Sequence, residues 1–328
     1  MSASRPNIAV VMGGFSAEYE VSLQSAQVVH EHLDPQRYRV FRVLIHRDRW
    51  EVWAGEQRLP VNRDDFSFTL QGEHIRFDAV FNTLHGSPGE DGMLAGYLDM
   101  LGIPQTGSGT LESALTFSKG ECNVLLARYG IATPQAVFLP YAQSINTEAL
   151  LEKVGLPCFV KPSRSGSSIG ISKVKAAPEL IPAIETARAI DSRVLIEGMV
   201  PGTEAGCGVS DHTGAPQALA VTDIVPKNEF FDYESKYSGL SEEVTPARIS
   251  ADHYRRIMEI SEEVYRLLGL HGLVRIDFIL HPQRGPVLIE INTVPGLSAE
   301  SILPKQAGHA GLSLSQLFNA TLAQTLKT

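Results

Sequence analysis

Two short segments near the C-terminal end alternate so strictly that they leave the chain little choice of fold there. In Leu273 to Leu280, Val274, Ile276 and Phe278 fall on one side of an extended strand and Arg275 and Asp277 on the other. Val287 to Asn292 repeats the arrangement, with Val287, Ile289 and Ile291 on one face and Glu290 and Asn292 on the opposite one. The segment between them, His281-Pro282-Gln283-Arg284-Gly285-Pro286, is a turn sequence. The spacing predicts an antiparallel hairpin whose apolar face packs on a core and whose other face gathers Asp277, Glu290 and Asn292. Two carboxylates and an amide oxygen are hard ligands suited to Mg²⁺ or Mn²⁺. Taken alone, the same alternation reads more readily as the wet face of an edge hairpin.

The rest of the chain supplies a setting. The 328 residues exceed one compact domain, and the 43% hydrophobic and 20% charged shares are those of a globular protein. A net charge of -9 argues against nucleic acid as a partner. The apolar run Ile8 to Met12 is too short for a secretory leader, and no segment reaches membrane-spanning length. Cys122, Cys158 and Cys207 are unpaired in spacing and sit in apolar contexts, so buried thiols in a reduced, cytoplasmic protein are expected.

Strands are expected at Asn7 to Met12, Tyr38 to Ile45 and Phe77 to Thr83, with helices from Ser22 to Leu33 and up to Leu101, where Gly102 ends the second. That alternation predicts an α/β fold whose first unit is an open parallel sheet with helices on both faces. A helix from Ser118 to Tyr129 opens a middle section of strands at Pro157 to Lys161, Ile171 to Val174 and Val194 to Glu197. Boundaries are expected near residues 115 and 197, giving units 1–115, 116–196 and 197–328.

Phe159-Val160-Lys161-Pro162 reads as a strand entering Ser163-Arg164-Ser165-Gly166-Ser167-Ser168-Ile169-Gly170, a flap whose small residues let backbone amides approach phosphate. It lacks the spacing and following helix of a Walker loop. Glu197 ends an apolar strand, where it could accept from an adenine amino group while Met199 and Val200 read the ring edge and Glu204 reaches a ribose hydroxyl. Either segment alone also fits an ordinary surface loop.

Lys119, Lys161 with its flap, Glu197 to Glu204 and the hairpin follow the order of the ATP-grasp ligases, and across nearly its whole length the chain resembles the D-alanine–D-alanine ligases. The carrying motifs are Gly13-Gly14-Phe15-Ser16-Ala17-Glu18 with Val21-Ser22, His85-Gly86-x-x-Gly89-Glu90-Asp91-Gly92, and Lys161-Pro162-Ser163-Arg164-x-Gly166-Ser167-Ser168. They continue with Phe231 to Tyr237, Arg275-Ile276-Asp277, and Glu290-Ile291-Asn292-Thr293-x-Pro295-Gly296 to Ser301. Ala95 and Gln105 depart from the residues usual in the family, Gln and Tyr, without removing a named chemical group.

The resemblance implies an ATP-grasp fold preceded by a Rossmann-like domain, and ATP-dependent joining of two D-alanines through a D-alanyl phosphate for peptidoglycan synthesis. It implies ATP phosphates on Lys119 and Lys161 under the Ser165–Ser168 flap, and Lys236 beside the nucleotide. Two metal ions, Mg²⁺ or Mn²⁺, would sit on Asp277, Glu290 and Asn292. Arg275 and the Gly296 N–H would stabilise the oxyanion. Glu18, in a network with Ser167 and Tyr237, would anchor the first D-alanine near His85; Ser301 and Ile302 would bind the second. A homodimer is implied. Relatives that add D-serine or D-lactate share this framework, and Tyr237 favours an amine acceptor. An NAD-dependent dehydrogenase fits poorly, because Gly-x-Gly-x-x-Gly is missing and no acid ends the second strand. A non-catalytic nucleotide-binding regulator is disfavoured by the intact set Arg275, Asp277, Glu290 and Asn292.

Overall fold

The computed structural model describes residues 5–141, 145–226 and 241–327. The motif Phe231 to Tyr237, and with it Lys236 and Tyr237, lies outside the described residues. From the N-terminus run β1 (Asn7–Gly13), α1 (Tyr19–His32), β2 (Arg39–Ile45), β3 (Trp50–Ala54), β4 (Gln57–Pro60), β5 (Ser67–Leu70), β6 (Glu73–Arg76) and β7 (Ala79–Asn82). The first sheet has the order β4-β3-β2-β1-β7. Only β2, β1 and β7 are parallel; β3 and β4 add antiparallel strands at the edge. The expected parallel sheet is therefore mixed, and β5 and β6 form a separate ribbon. Short connections can join only antiparallel neighbours, so the run after β2 had to turn back on itself.

Both faces of this sheet are covered, as its uninterrupted apolar β1 requires. Ile8, Val10 and Met12 share one core with α1 and with Leu317, Phe318 and Leu322 from the far end of the chain. Ala9 and Val11 share the other with Leu94 and Leu98 of α2 (Met93–Leu101). Gly102 ends α2 as expected, at φ 66 in the left-handed region that suits glycine.

Next come α3 (Thr110–Phe117), α4 (Lys119–Arg128), β8 (Ala136–Leu139), α5 (Thr147–Val154), β9 (Cys158–Pro162), β10 (Ser172–Val174), α6 (Leu180–Arg188) and β11 (Val194–Gly198). Their antiparallel sheet has the order β10-β9-β11-β8. The third sheet, β14-β13-β12-β15-β16, is built from β12 (Thr203–Ser210), β13 (Gln217–Pro226), β14 (Ser241–Val244), β15 (Leu273–His281) and β16 (Gly285–Asn292).

Across the third sheet lies α7 (Ala251–Leu267), which buries Ile257, Ile260, Ser261, Val264 and Tyr265 at helical spacing. Ser250 caps it by accepting from the His253 N–H at 3.3 Å. The chain ends in α8 (Ile302–His309) and α9 (Leu314–Thr325). All three cysteines are free and buried, and desolvation pushes the Cys122 and Cys207 thiols up to about 12. Among the described residues no helix is long and apolar enough to cross a membrane.

Candidate active site

The hairpin forms as its alternation dictates. In the register of β15 against β16, Arg275 faces Asn292 and Asp277 faces Glu290, with an irregularity just after Asp277. Arg275 grips Asp277 with two bonds, Nε to Oδ1 at 2.8 Å and NH2 to Oδ2 at 2.9 Å. Asn292 Nδ2 donates to the same Oδ2 at 2.9 Å. Burial alone would depress Arg275, but the Asp277 carboxylate overrides it and holds the guanidinium charged. On the neighbouring strand Gly206 lies opposite Asp277, and a Cβ there would come within 3.0 Å of Asp277 Oδ1. A bare strand residue is what lets the two side chains lie down on the sheet.

Lys119, the first residue of α4, reaches across to this surface. Its Nζ is 2.9 Å from Glu290 Oε1 and donates to Ser165 O at 2.9 Å, so one ammonium joins the metal-candidate carboxylate to the flap. Desolvation would lower Lys119, and Glu290 more than offsets it, raising the group. The start of α4 is seated by Ser163, whose carbonyl accepts from Lys119 N and whose Oγ accepts from Gly120 N, each at 3.0 Å. In the flap beyond, Ser167 and Ser168 adopt φ of 53 and 57, a left-handed backbone costly for residues with a Cβ.

A cavity of about 360 Å³ opens over these groups. From the first third of the chain Glu18 and His85 line it; from the middle come Lys119 and Ser167. Glu204, Arg275, Asp277, Glu290, Asn292, Gly296, Ser301 and Ile302 form the remaining wall. Glu18 lies close under the flap, since a Cβ on Gly166 would sit 3.3 Å from its Oε2. Ser301 stands at the N-cap position of α8 without a side-chain capping bond, its Oγ lying 2.8 Å from Ser298 Oγ, and Ser301 and Ile302 both line the cavity at that helix start.

Lys161, Ser165, Ser168, Glu197, Met199 and Val200 are not among the lining residues. Lys161 and Glu197 stand on adjacent strands as a buried pair, Nζ to Oε2 2.6 Å. Glu197 Oε1 accepts from Asn123 Nδ2 at 2.8 Å, so both carboxylate oxygens are engaged rather than open. Met199 is 42% exposed.

Three contributors escaped the sequence reading. Asn123 sits one turn after Lys119 on the same helix face, a spacing that could have exposed it. Glu90 belongs to the glycine-rich motif yet received no role; it accepts from Gly86 N at 2.6 Å and Val294 N at 3.3 Å. Ser25 carried no signal. The metal candidates fit their task in donor chemistry, because carboxylate and amide oxygens meet on one face beside a cavity. Among the described residues no cluster of three or more His, Cys, Asp or Glu side chains could hold a metal, so an ion here would need Asn292 and oxygens of a ligand beside the two carboxylates.

Two protein-family models match the chain, described as "D-ala D-ala ligase N-terminus" over residues 7–108 and "D-ala D-ala ligase C-terminus" over residues 125–323. A curated D-alanine--D-alanine ligase of Flavobacterium johnsoniae is 45% identical over 321 residues, covering 98% of this chain and 99% of that one. The solved VanG D-Ala:D-Ser ligase of Enterococcus faecalis superposes with a TM-score of 0.86 at 35% identity, covering 98% and 99% of the two chains. The D-alanine–D-alanine ligase of Bacillus anthracis complexed with ATP gives 0.78 at 27% identity, covering 98% of each.

Proposed function

This chain belongs to the D-alanine–D-alanine ligase family, with its ATP-grasp fold, and we propose that it joins two D-alanines into D-alanyl-D-alanine with ATP as phosphoryl donor. The product feeds peptidoglycan synthesis. The observation that carries the reading is the shared cavity, where Glu18 at the start of α1, a lysine from α4 and the Arg275–Asp277–Glu290 surface meet around about 360 Å³.

The γ-phosphoryl of ATP passes to the carboxylate of the first D-alanine, giving an acyl phosphate and ADP. The amine of the second D-alanine then attacks that carbonyl, and phosphate leaves. Lys119 and Lys161 hold the phosphates beneath the Ser165–Ser168 flap; Glu197, Met199, Val200 and Glu204 border the base and ribose, with Lys236 on the same side. Glu18, supported by Ser167 and Tyr237, binds the ammonium of the first D-alanine. Arg275 and the Gly296 N–H donate to the oxyanion as it develops. Ser301 and the Ile302 N–H, at a helix N-terminus, hold the second carboxylate. Asp277, Glu290 and Asn292 would bind two Mg²⁺ or Mn²⁺ ions, which would neutralise charge on the transferring group.

The three larger sheets fall largely one to each of the units 1–115, 116–196 and 197–328, which supports that division, although β11 (Val194–Gly198) runs two residues past the second boundary. Action in the cytoplasm agrees with three free, buried thiols. A homodimer is supported by Met93, Met100 and Leu111, large apolar side chains 64%, 81% and 72% exposed on α2 and α3.

D-serine as acceptor is the second reading, favoured by the likeness to a D-Ala:D-Ser ligase; the greater identity to a D-alanine ligase, 45% against 35%, favours D-alanine. Phosphate release and product identity with D-alanine, D-serine and D-lactate offered as competing acceptors decide between them. Mostly D-alanyl-D-alanine is expected, and a mixed depsipeptide or D-serine product would reverse the assignment.

A further inference from the structure

We propose that Ser25 is a positioning residue for the ligation: through one fixed tautomer of His85 it holds the turn around Gly296, and so keeps that N–H in register with Arg275. The inference rests on the reading of Gly296 as an oxyanion donor.

The hydrogen-bond roles can be assigned one by one. The Val294 carbonyl only accepts, so His85 Nδ1, 2.7 Å from it, must carry a hydrogen. The Leu297 N–H only donates, and its partner at 3.1 Å is Ser25 Oγ. Ser25 Oγ is also 3.2 Å from His85 Nε2. The serine hydroxyl therefore accepts from Leu297 and sends its single hydrogen to the bare Nε2. A neutral ring protonated at Nδ1 satisfies every donor and acceptor. Ser25 is 0% and His85 5% exposed, so water does not compete for these bonds. Desolvation works in the same direction, holding His85 below its usual range against the opposing Glu18 charge and Val294 carbonyl.

The geometry gives the relay a purpose. One pin fixes the carbonyl two residues before Gly296, and the other fixes the N–H one residue after it. The two pins hold the peptide planes on either side of the one that carries the Gly296 N–H, and so fix the path of the turn around it. Ser22, one turn earlier on α1, accepts from Gly13 N at 2.9 Å and donates to Thr83 O at 2.7 Å, tying the same helix to the ends of β1 and β7. The Gly296 turn is thus referenced to the first sheet and to α1, at whose N-terminus Glu18 stands. His85 lines the cavity, but with both ring nitrogens committed it acts on the turn rather than on a substrate.

Ser25→Ala removes one oxygen. Turnover to dipeptide is expected to fall about tenfold while KM for ATP stays within about twofold, the split of a lost transition-state contact. Nitrogen NMR of the His85 ring, assigned by its disappearance in His85→Gln, should show only the Nδ1–H tautomer in the wild type and mixed tautomers in Ser25→Ala. Unchanged turnover, or a wild-type ring that is cationic or protonated at Nε2, would overturn the proposal. If the alanine variant does not fold, Ser25→Cys keeps the volume with a poor hydrogen-bonding group, and wild-type turnover there would count equally against it. A wild-type protein that releases no phosphate with D-alanine would sink the ligase reading instead. The ring spectrum needs no turnover and would still decide the hydrogen-bond assignment.

Discussion

Beside the His85 loop, Glu90 accepts from two backbone N–H groups, yet desolvation, reinforced by the Glu18 charge, pushes its carboxyl from 4.5 up to about 7. Between those values the native state holds a proton that the unfolded chain has lost. The contribution to stability is therefore full below pH 4.5 and lost as pH rises through about 7. In metal-free protein, denaturant melts should show the wild type losing up to about 3 kcal/mol relative to Glu90→Gln across that window. Parallel curves for the two proteins would refute the shift. A second residue-scale test concerns the hairpin acids. Asp277→Asn and Glu290→Gln should each lower turnover by about a hundredfold or more with circular dichroism unchanged. Near-normal turnover in both would remove the metal assignment.

At the scale of elements, the flap between β9 and β10 is held at its root. Asp191 accepts from Arg164 N at 2.9 Å, from the Arg164 side chain at 3.1 and 2.7 Å, and from Arg193 N at 3.2 Å. The anchored segment contains Ser163, which seats Lys119. Asp191→Ala is accordingly expected to raise KM for ATP about tenfold, to expose the flap to protease, and to cost about 1–3 kcal/mol of stability. An unaltered KM would show that the root does not govern the flap.

The same elements show what could be read beforehand. The β15–β16 hairpin was legible because its register and its chemistry are written in one local alternation. The β2–β1–β7 core was legible from three apolar runs, the first two separated by α1. β4 was not, since Gln57 to Pro60 offers little apolar pattern of its own, and β3 is only five residues long. α8, Ile-Leu-Pro-Lys-Gln-Ala-Gly-His, hides behind a proline in its first turn and a glycine near its end. The engagement of Glu197 by Lys161 and Asn123 depends on two strands and a helix meeting, which no local pattern encodes.

For the whole molecule, the cavity exists only while the first sheet and the third sheet keep their relative placement. Gly272, at φ 72, lies where a Cβ would come 1.7 Å from the Thr106 carbonyl oxygen. Ser108 Oγ donates to the His271 carbonyl at 3.3 Å and accepts from His271 N at 3.2 Å beside it. Gly272→Ala must part these surfaces, so a loss of about 2–4 kcal/mol in melts is expected, with turnover falling as Glu18 and Arg275 separate. An unshifted melting temperature would contradict that account of the joint. The central claim, ligation through an acyl phosphate, is tested most directly by following one oxygen atom. With ATP, Mg²⁺ and D-alanine labelled by heavy oxygen in its carboxylate, the released phosphate should carry one labelled oxygen for each D-alanyl-D-alanine formed. Unlabelled phosphate beside the dipeptide, or no phosphate with any D-amino acid, would contradict it.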